Sequence, residues 1–191
     1  VGSEMCIRDR SNADIAFVNG GGIRKQIEAG DITLDDIYSV HPFGNTMCVI
    51  RVTGQQVLDA LEWGARAVPS ENGGFLQVSG LTYEIHTGVA SSAEKDENGM
   101  FTRVSGEYRV KNVMVGGQPL ELDKTYTLAS HNYMLLGHGD GYTMFDGCEV
   151  LGEDMMVDNQ VLITYITTTL GGVVGEQYAN PYGDGRIVAV E

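Results

Sequence analysis

The apolar run Ile15-Ala16-Phe17-Val18 leads directly into Asn19-Gly20-Gly21-Gly22-Ile23-Arg24, and this junction restricts the fold more than any other stretch. A short, continuous run of bulky residues reads as a buried strand, so the backbone leaves the core at Asn19. Glycines without Cβ atoms permit positive φ and let main-chain N–H groups approach a ligand. Arg24 sets a positive fork beside those donors, an arrangement that suits a phosphate. A tight turn followed by a surface arginine is the competing reading of the same residues. No Lys-Ser/Thr pair closes the segment into a P-loop, and the glycine spacing is not that of a dinucleotide fingerprint.

The chain of 191 residues suffices for one domain with a substantial core, one that buries roughly 70% of the unfolded surface. No run of about 18 apolar residues is present to span a membrane. Acidic residues outnumber basic ones by 26 to 12, a net charge of −14. That excess argues against a nucleic-acid duplex as partner, because backbone binding needs a basic stripe. A phosphate must then be held by local features against an unfavourable overall field. The cysteines Cys6, Cys48 and Cys148 show no metal-like spacing, and Cys48 reads as a small core residue.

Residues 1–10 lack periodicity and enter the first strand almost without a linker; they are expected to be a foreign leader outside the domain, which then spans 11–191. Thr33 and Asp36 form a box-like start to a short helix over Leu34–Val40. His41-Pro42-Phe43-Gly44-Asn45 is a loop that carries an exposed aromatic. Met47–Val52 reads as a strand, and Thr53 with Gln56 opens a helix bearing Val57, Leu58, Leu61 and Ala65 on one side. Phe75–His86 is expected to form one half-exposed strand, and Ser91–Gly99 a surface loop. Glu107–Val115 and Gln118–Leu122 flank Gly116-Gly117 as a hairpin. Tyr126–Ala129 is a strand that delivers the chain to the loop-like Ser130–Tyr142. Asp158 is expected to cap a last helix with Leu162, Tyr165, Ile166 and Leu170 inside, before a strand over Arg186–Val190. Strands and helices mix without regular alternation, which predicts a single α+β domain with a mixed β-sheet and packed helices.

No catalytic constellation emerges. His41, His86, His131 and His138 are scattered without ligand spacing, and His131 and His138, which share a segment, read as solvent-facing or hydrogen-bonded loop histidines. No serine sits in a Gly-x-Ser-x-Gly elbow. The chain offers binding chemistry instead. Phe43 and Tyr133 lie in loops beside Gly or Asn and can sandwich a nucleobase, although either ring could equally pack into the core. Asn19 and Asn45 supply amide edges, Asp140 between Gly139 and Gly141 can accept from ribose hydroxyls, and Arg24 can take a phosphate.

Asn19-Gly-Gly-Gly-Ile-Arg24, Pro42-Phe43-Gly44-Asn45, Asn132-Tyr133 and Gly139-Asp140-Gly141-Tyr142, in this order, closely resemble the C-terminal domain of the secreted 5'-nucleotidase family, which includes UDP-sugar hydrolases and 2',3'-cyclic-nucleotide phosphodiesterases. The resemblance runs from about Asn12 to Arg186. It implies a substrate-binding domain whose partner, an N-terminal metallophosphoesterase domain, carries two divalent metal ions; this chain then holds neither catalytic residues nor a metal. It further implies that Phe43 and Tyr133 clamp the base, Asp140 holds the ribose, Arg24 binds phosphate, and Asn19 and Asn45 contact the nucleoside, with Gly21 and Gly22 in the same wall. Tyr133 stands where phenylalanine is common, which keeps a stacking face. Members of the family have a helix before the first strand with a Gly-Asn pair and a further phosphate-holding arginine, which Val1–Arg10 does not match. The chain is therefore expected to be a fragment of an extracellular, cell-wall-attached or periplasmic nucleotide phosphohydrolase. A non-catalytic nucleotide-binding or cell-surface interaction module that kept the fold is the alternative.

Overall fold

In the computed structural model, described for residues 2–178, 180 and 184–191, helix α1 (Ser3–Ser11) precedes β1 (Ile15–Asn19), α2 (Leu34–Val40), β2 (Met47–Thr53) and α3 (Gly54–Ala65). Strands β3 (Leu76–Ser79) to β8 follow: β4 (Leu81–His86), β5 (Ala93–Lys95), β6 (Phe101–Val104), β7 (Val110–Val115) and β8 (Gln118–Pro119). The chain closes with β9 (Thr125–His131), α4 (Asn132–Leu135), β10 (Glu149–Gly152), α5 (Asp158–Thr164) and β11 (Ile187–Val190).

Among the described residues the strands form a five-stranded sheet in the order β10-β2-β9-β1-β3, a four-stranded sheet β11-β4-β7-β8, and a β5-β6 ribbon. β1 and β9 run parallel, as do β11 and β4, while the remaining pairs are antiparallel. The domain is α+β with mixed sheets, as expected.

The five-stranded sheet is covered on both faces, which is why β1 is an unbroken apolar run. Ile15, Phe17, Cys48, Ile50 and Val52 join a core with α3 and the four-stranded sheet. Ala16, Val18, Met47 and Val49 pack on the opposite side with Cys6, Ile37, Val161 and Leu162. Both predicted capping boxes are present: Thr33 with Asp36, and Thr53 with Gln56. Inside α3, the buried Glu62 accepts the Val110 N–H at 2.9 Å, and Arg109 donates to the Ala65 carbonyl at 3.1 Å. These two contacts pin the helix to the second sheet.

Four expectations need correction. Phe75–His86 is two strands in different sheets, because Gly80 turns the chain with φ 83° and lies so near Asp14 that a Cβ would meet its carbonyl. Ser91–Gly99 contains β5, whose Ala93 and Glu94 pair with Val104 and Arg103. Asp158 is the first residue of α5 rather than its cap, a place taken by Val157. The segment expected to stay outside the fold forms α1, with Cys6 and Ile7 buried and Glu4 paired to Arg186 at 3.0 Å; Val1 lies outside the described residues. Of its buried residues Ser3, Glu4, Cys6 and Ile7 only two are apolar, which leaves no helical stripe for sequence patterning to detect.

Candidate functional site

Strand direction gathers the candidate residues at one end of the five-stranded sheet. Asn19 closes β1, His131 closes the parallel β9, and Met47 opens the antiparallel β2 opposite His131. The segments after β1, before β2 and after β9 therefore share one edge. Asn132 ties two of them together: its Oδ1 accepts from Thr46 N–H at 3.1 Å and Tyr133 N–H at 2.9 Å, and its own N–H donates to the Thr46 carbonyl at 2.8 Å.

Around this edge the structure assembles two groups. In one, Asn19 Nδ2 donates to Asp140 Oδ2 at 2.8 Å, and the Tyr133 hydroxyl to Asp140 Oδ1 at 3.3 Å. Burial and the adjacent carboxylate hold the Tyr133 hydroxyl above its ordinary pKa, which keeps it a donor. Asp140 adopts φ 54° and its carbonyl accepts from Trp63 Nε1 at 2.9 Å. The carboxylate thus presents a fixed edge with remaining acceptor capacity. In the other group, Arg24 lies 5.9 Å from the Phe43 ring centroid and donates to the Gly21 carbonyl at 3.2 Å. Phe43 is 60% exposed and Tyr133 42%, so neither ring is a core plug.

The glycine loop departs from expectation. Gly20 and Gly21 form a 3₁₀ turn without positive φ, and their N–H groups donate at 2.8 Å to the carbonyls of Phe75 and Gly73 respectively. Glycine is required by proximity: a Cβ on Gly21 would sit 3.1 Å from Gly73 Cα, and one on Gly22 2.9 Å from Asn19 Oδ1. The loop is a wall, and two of its N–H groups are committed to neighbouring backbone. A groove of about 390 Å³ borders Gly20 and Gly21 on the side of Asn72 and Phe75. Phe43 and Tyr133 do not line it, so the aromatic pair is an open surface feature.

Sequence reasoning missed several supporting residues. Trp63 drew no reading from the sequence, although its indole fixes the Asp140 turn and the Arg66 guanidinium stacks on it at 3.7 Å. Gly73 and Gly74, which precede Phe75, abut Gly21 and Asp140. His131, expected in a solvent-facing or hydrogen-bonded loop, closes β9 and is 0% exposed, and His41, 1% exposed, bonds Ser3 Oγ through Nε2 at 2.8 Å. Among the described residues, no group of three or more His, Cys, Asp or Glu side chains is placed to hold a metal ion. Nor is any described helix long and apolar enough to cross a membrane.

Amide, carboxylate, guanidinium and exposed aromatic groups thus gather at one end of the five-stranded sheet of a mixed-sheet α+β domain. The chain belongs to the 5'-nucleotidase C-terminal domain family, whose model matches residues 3–147. It is 34% identical over 183 residues to the trifunctional nucleotide phosphoesterase protein YfkN of Bacillus subtilis, covering 96% of this chain and 11% of that protein. Identity to the 5'-nucleotidase of Vibrio cholerae is 33% over 162 residues, covering 85% of this chain and 25% of that protein. The crystal structure of a 5'-nucleotidase precursor from Thermus thermophilus superposes with a TM-score of 0.79 at 30% identity, covering 98% of this chain and 34% of that one. The chain thus spans a minor part of the length of the relatives it matches.

Proposed function

We propose that this chain is the nucleotide-recognition domain of a secreted or periplasmic nucleotide phosphohydrolase of the 5'-nucleotidase type. The observation that carries the reading is the exposure of Phe43 and Tyr133, 60% and 42%, on two segments cross-tied through Thr46 and Asn132. Large aromatic faces held in water by a rigid edge suit stacking on a flat ring. In this reading the two rings clamp a nucleobase, Asp140 receives ribose hydroxyls in the orientation set by Asn19, and Arg24 takes a phosphate. Gly21, Gly22 and Asn45 complete the wall. Residues 11–191 carry this recognition surface. The bond-breaking chemistry belongs to an N-terminal metallophosphoesterase domain with two divalent ions, to which this domain presents the substrate in a fixed orientation.

Two stacking faces and one arginine contact supply about 4–9 kcal/mol gross. Association costs about 4 kcal/mol or more. The isolated domain therefore binds weakly, near the millimolar dissociation constant equivalent to about −4 kcal/mol. Titration of AMP and adenosine into the protein and its Arg24→Ala variant tests the assignment. The variant loses AMP affinity and keeps most adenosine affinity; equal losses for both ligands exclude a phosphate role. The domain alone leaves AMP intact with any divalent metal, and chelator-sensitive turnover would contradict that division of labour.

A further inference from the structure

The two exposed rings are not equivalent. Phe43 is apolar and its neighbour is a cation, with Arg24 Cζ 5.9 Å from the ring centroid, whereas Tyr133 carries a hydroxyl that donates to an anion, Asp140 Oδ1, at 3.3 Å. Stacking on a flat ring needs no hydroxyl. What the phenol adds is a hold on Asp140.

The rest of Asp140 is already fixed by the fold. Its backbone sits in the left-handed region at φ 54°, its carbonyl accepts from Trp63 Nε1 at 2.9 Å, and a Cβ on Gly74 would stand 3.1 Å from its Cβ. At the carboxylate, Oδ2 accepts from Asn19 Nδ2 at 2.8 Å, and Asn19 is 5% exposed, so this donor is set from inside the domain. One hydrogen bond leaves a carboxylate able to turn about its Cβ–Cγ bond, because that torsion is broad. The Tyr133 hydroxyl on the second oxygen removes this freedom. The hydroxyl is itself placed by its ring, which lies so close over Gly139 that a Cβ there would fall inside it.

An ionised carboxylate offers about four acceptor positions, two on each oxygen. Asn19 occupies one on Oδ2 and Tyr133 one on Oδ1, which leaves one on each oxygen. That remainder matches a vicinal diol, whose two adjacent donors reach the two oxygens together. A sugar with a single hydroxyl fills half of it. Sites built to receive a hydroxyl discriminate against the analogue that lacks it.

We propose that the Tyr133 hydroxyl is a specificity-determining group for the sugar: by holding Asp140 Oδ1 it fixes the carboxylate so that one acceptor on each oxygen faces the ligand, which selects ribose over 2'-deoxyribose. This inference rests on the nucleotide-recognition reading and assigns to the phenol a role separate from stacking.

AMP and 2'-deoxy-AMP are the probes, since they share base and phosphate and differ in one hydroxyl. Their dissociation constants are measured by heteronuclear NMR titration at a single pH in wild type, Tyr133→Phe, Asp140→Ala and the double variant. The wild type is expected to prefer AMP about tenfold and Tyr133→Phe about threefold or less. The ratio is the readout, because a displaced ring weakens both ligands alike. In Asp140→Ala the preference is lost, and adding Tyr133→Phe changes the ratio no further, a coupling that a packing role for the hydroxyl does not produce. A wild-type preference that survives unchanged in Tyr133→Phe overturns the proposal and leaves the nucleotide reading intact. A fall in the ratio that Tyr133→Phe produces equally in the Asp140→Ala background overturns it too. Equal binding of the two probes by wild type, or no binding of AMP, is a failure of the nucleotide reading itself, and the role of the hydroxyl falls with it.

Discussion

Asn19 and Asp140, 121 residues apart in sequence, meet through a 2.8 Å hydrogen bond that joins the end of β1 to the turn after α4. Asn19 is 5% exposed, so the amide orients the carboxylate from within the fold. Asn19→Ala removes a hydrogen bond to a charged group, worth about 1.5–3 kcal/mol. Adenosine affinity is expected to fall about tenfold with a retained circular dichroism spectrum. Unaltered affinity in a folded variant would mean that Asp140 orientation is irrelevant to binding.

Gly139 supports Tyr133 from below. A Cβ at this position would lie 2.3 Å from Tyr133 Cε1, inside the ring's own volume. Because that ring is 42% exposed, Gly139→Ala displaces it rather than unfolding the domain. The expected result is weakened adenosine binding with a melting temperature within about 3 °C of wild type, a shift that corresponds to about 1 kcal/mol. Normal binding would show that the ring position is not used.

His131 and Asp158 pull acid stability in opposite directions. His131 falls from an ordinary 6.5 to about 4 in the fold, so between these values the unfolded chain binds more protons and stability is lost on acidification. Asp158 rises from 3.8 to about 6, so there the folded state binds more protons and stability is gained as pH falls. In the wild type these contributions largely offset each other. Asp158→Asn leaves the histidine effect alone and is expected to lose about 1 kcal/mol more than wild type from about pH 6.5 to about pH 5; His131→Gln shifts the slope the other way. Urea denaturation at the two pH values measures this, and parallel slopes in all three proteins would show that the cluster does not titrate with folding.

Locally encoded features were readable in the sequence. The β1 run, both capping boxes and the Gly116-Gly117 hairpin each draw on neighbouring residues, and Pro42 with Gly44 forces Phe43 into a loop. The features that were not readable depend on distant partners. Gly20 and Gly21 resembled an anion cradle because the carbonyls that occupy their N–H groups come from Phe75 and Gly73. Ser91–Gly99 looked like a loop because the short β5–β6 ribbon is largely polar, and α1 was invisible because its docking relies on few apolar contacts. Of the site, the residue types in the ordered motifs were evident. The union of Asn19, Tyr133 and Asp140 was not, since no local pattern announces a contact between the ends of β1 and β9. Asp158 looked like a helix cap for the same reason: its attachment to Asn45 is a tertiary fact.

The aromatic clamp is the centre of the functional reading, and adenosine titration of wild type, Phe43→Ala and Tyr133→Ala followed by heteronuclear NMR tests it most directly. Each substitution is expected to weaken binding by about 1–3 kcal/mol while the spectrum keeps its folded dispersion. Binding unchanged in both variants, or loss of the fold in either, would contradict the clamp.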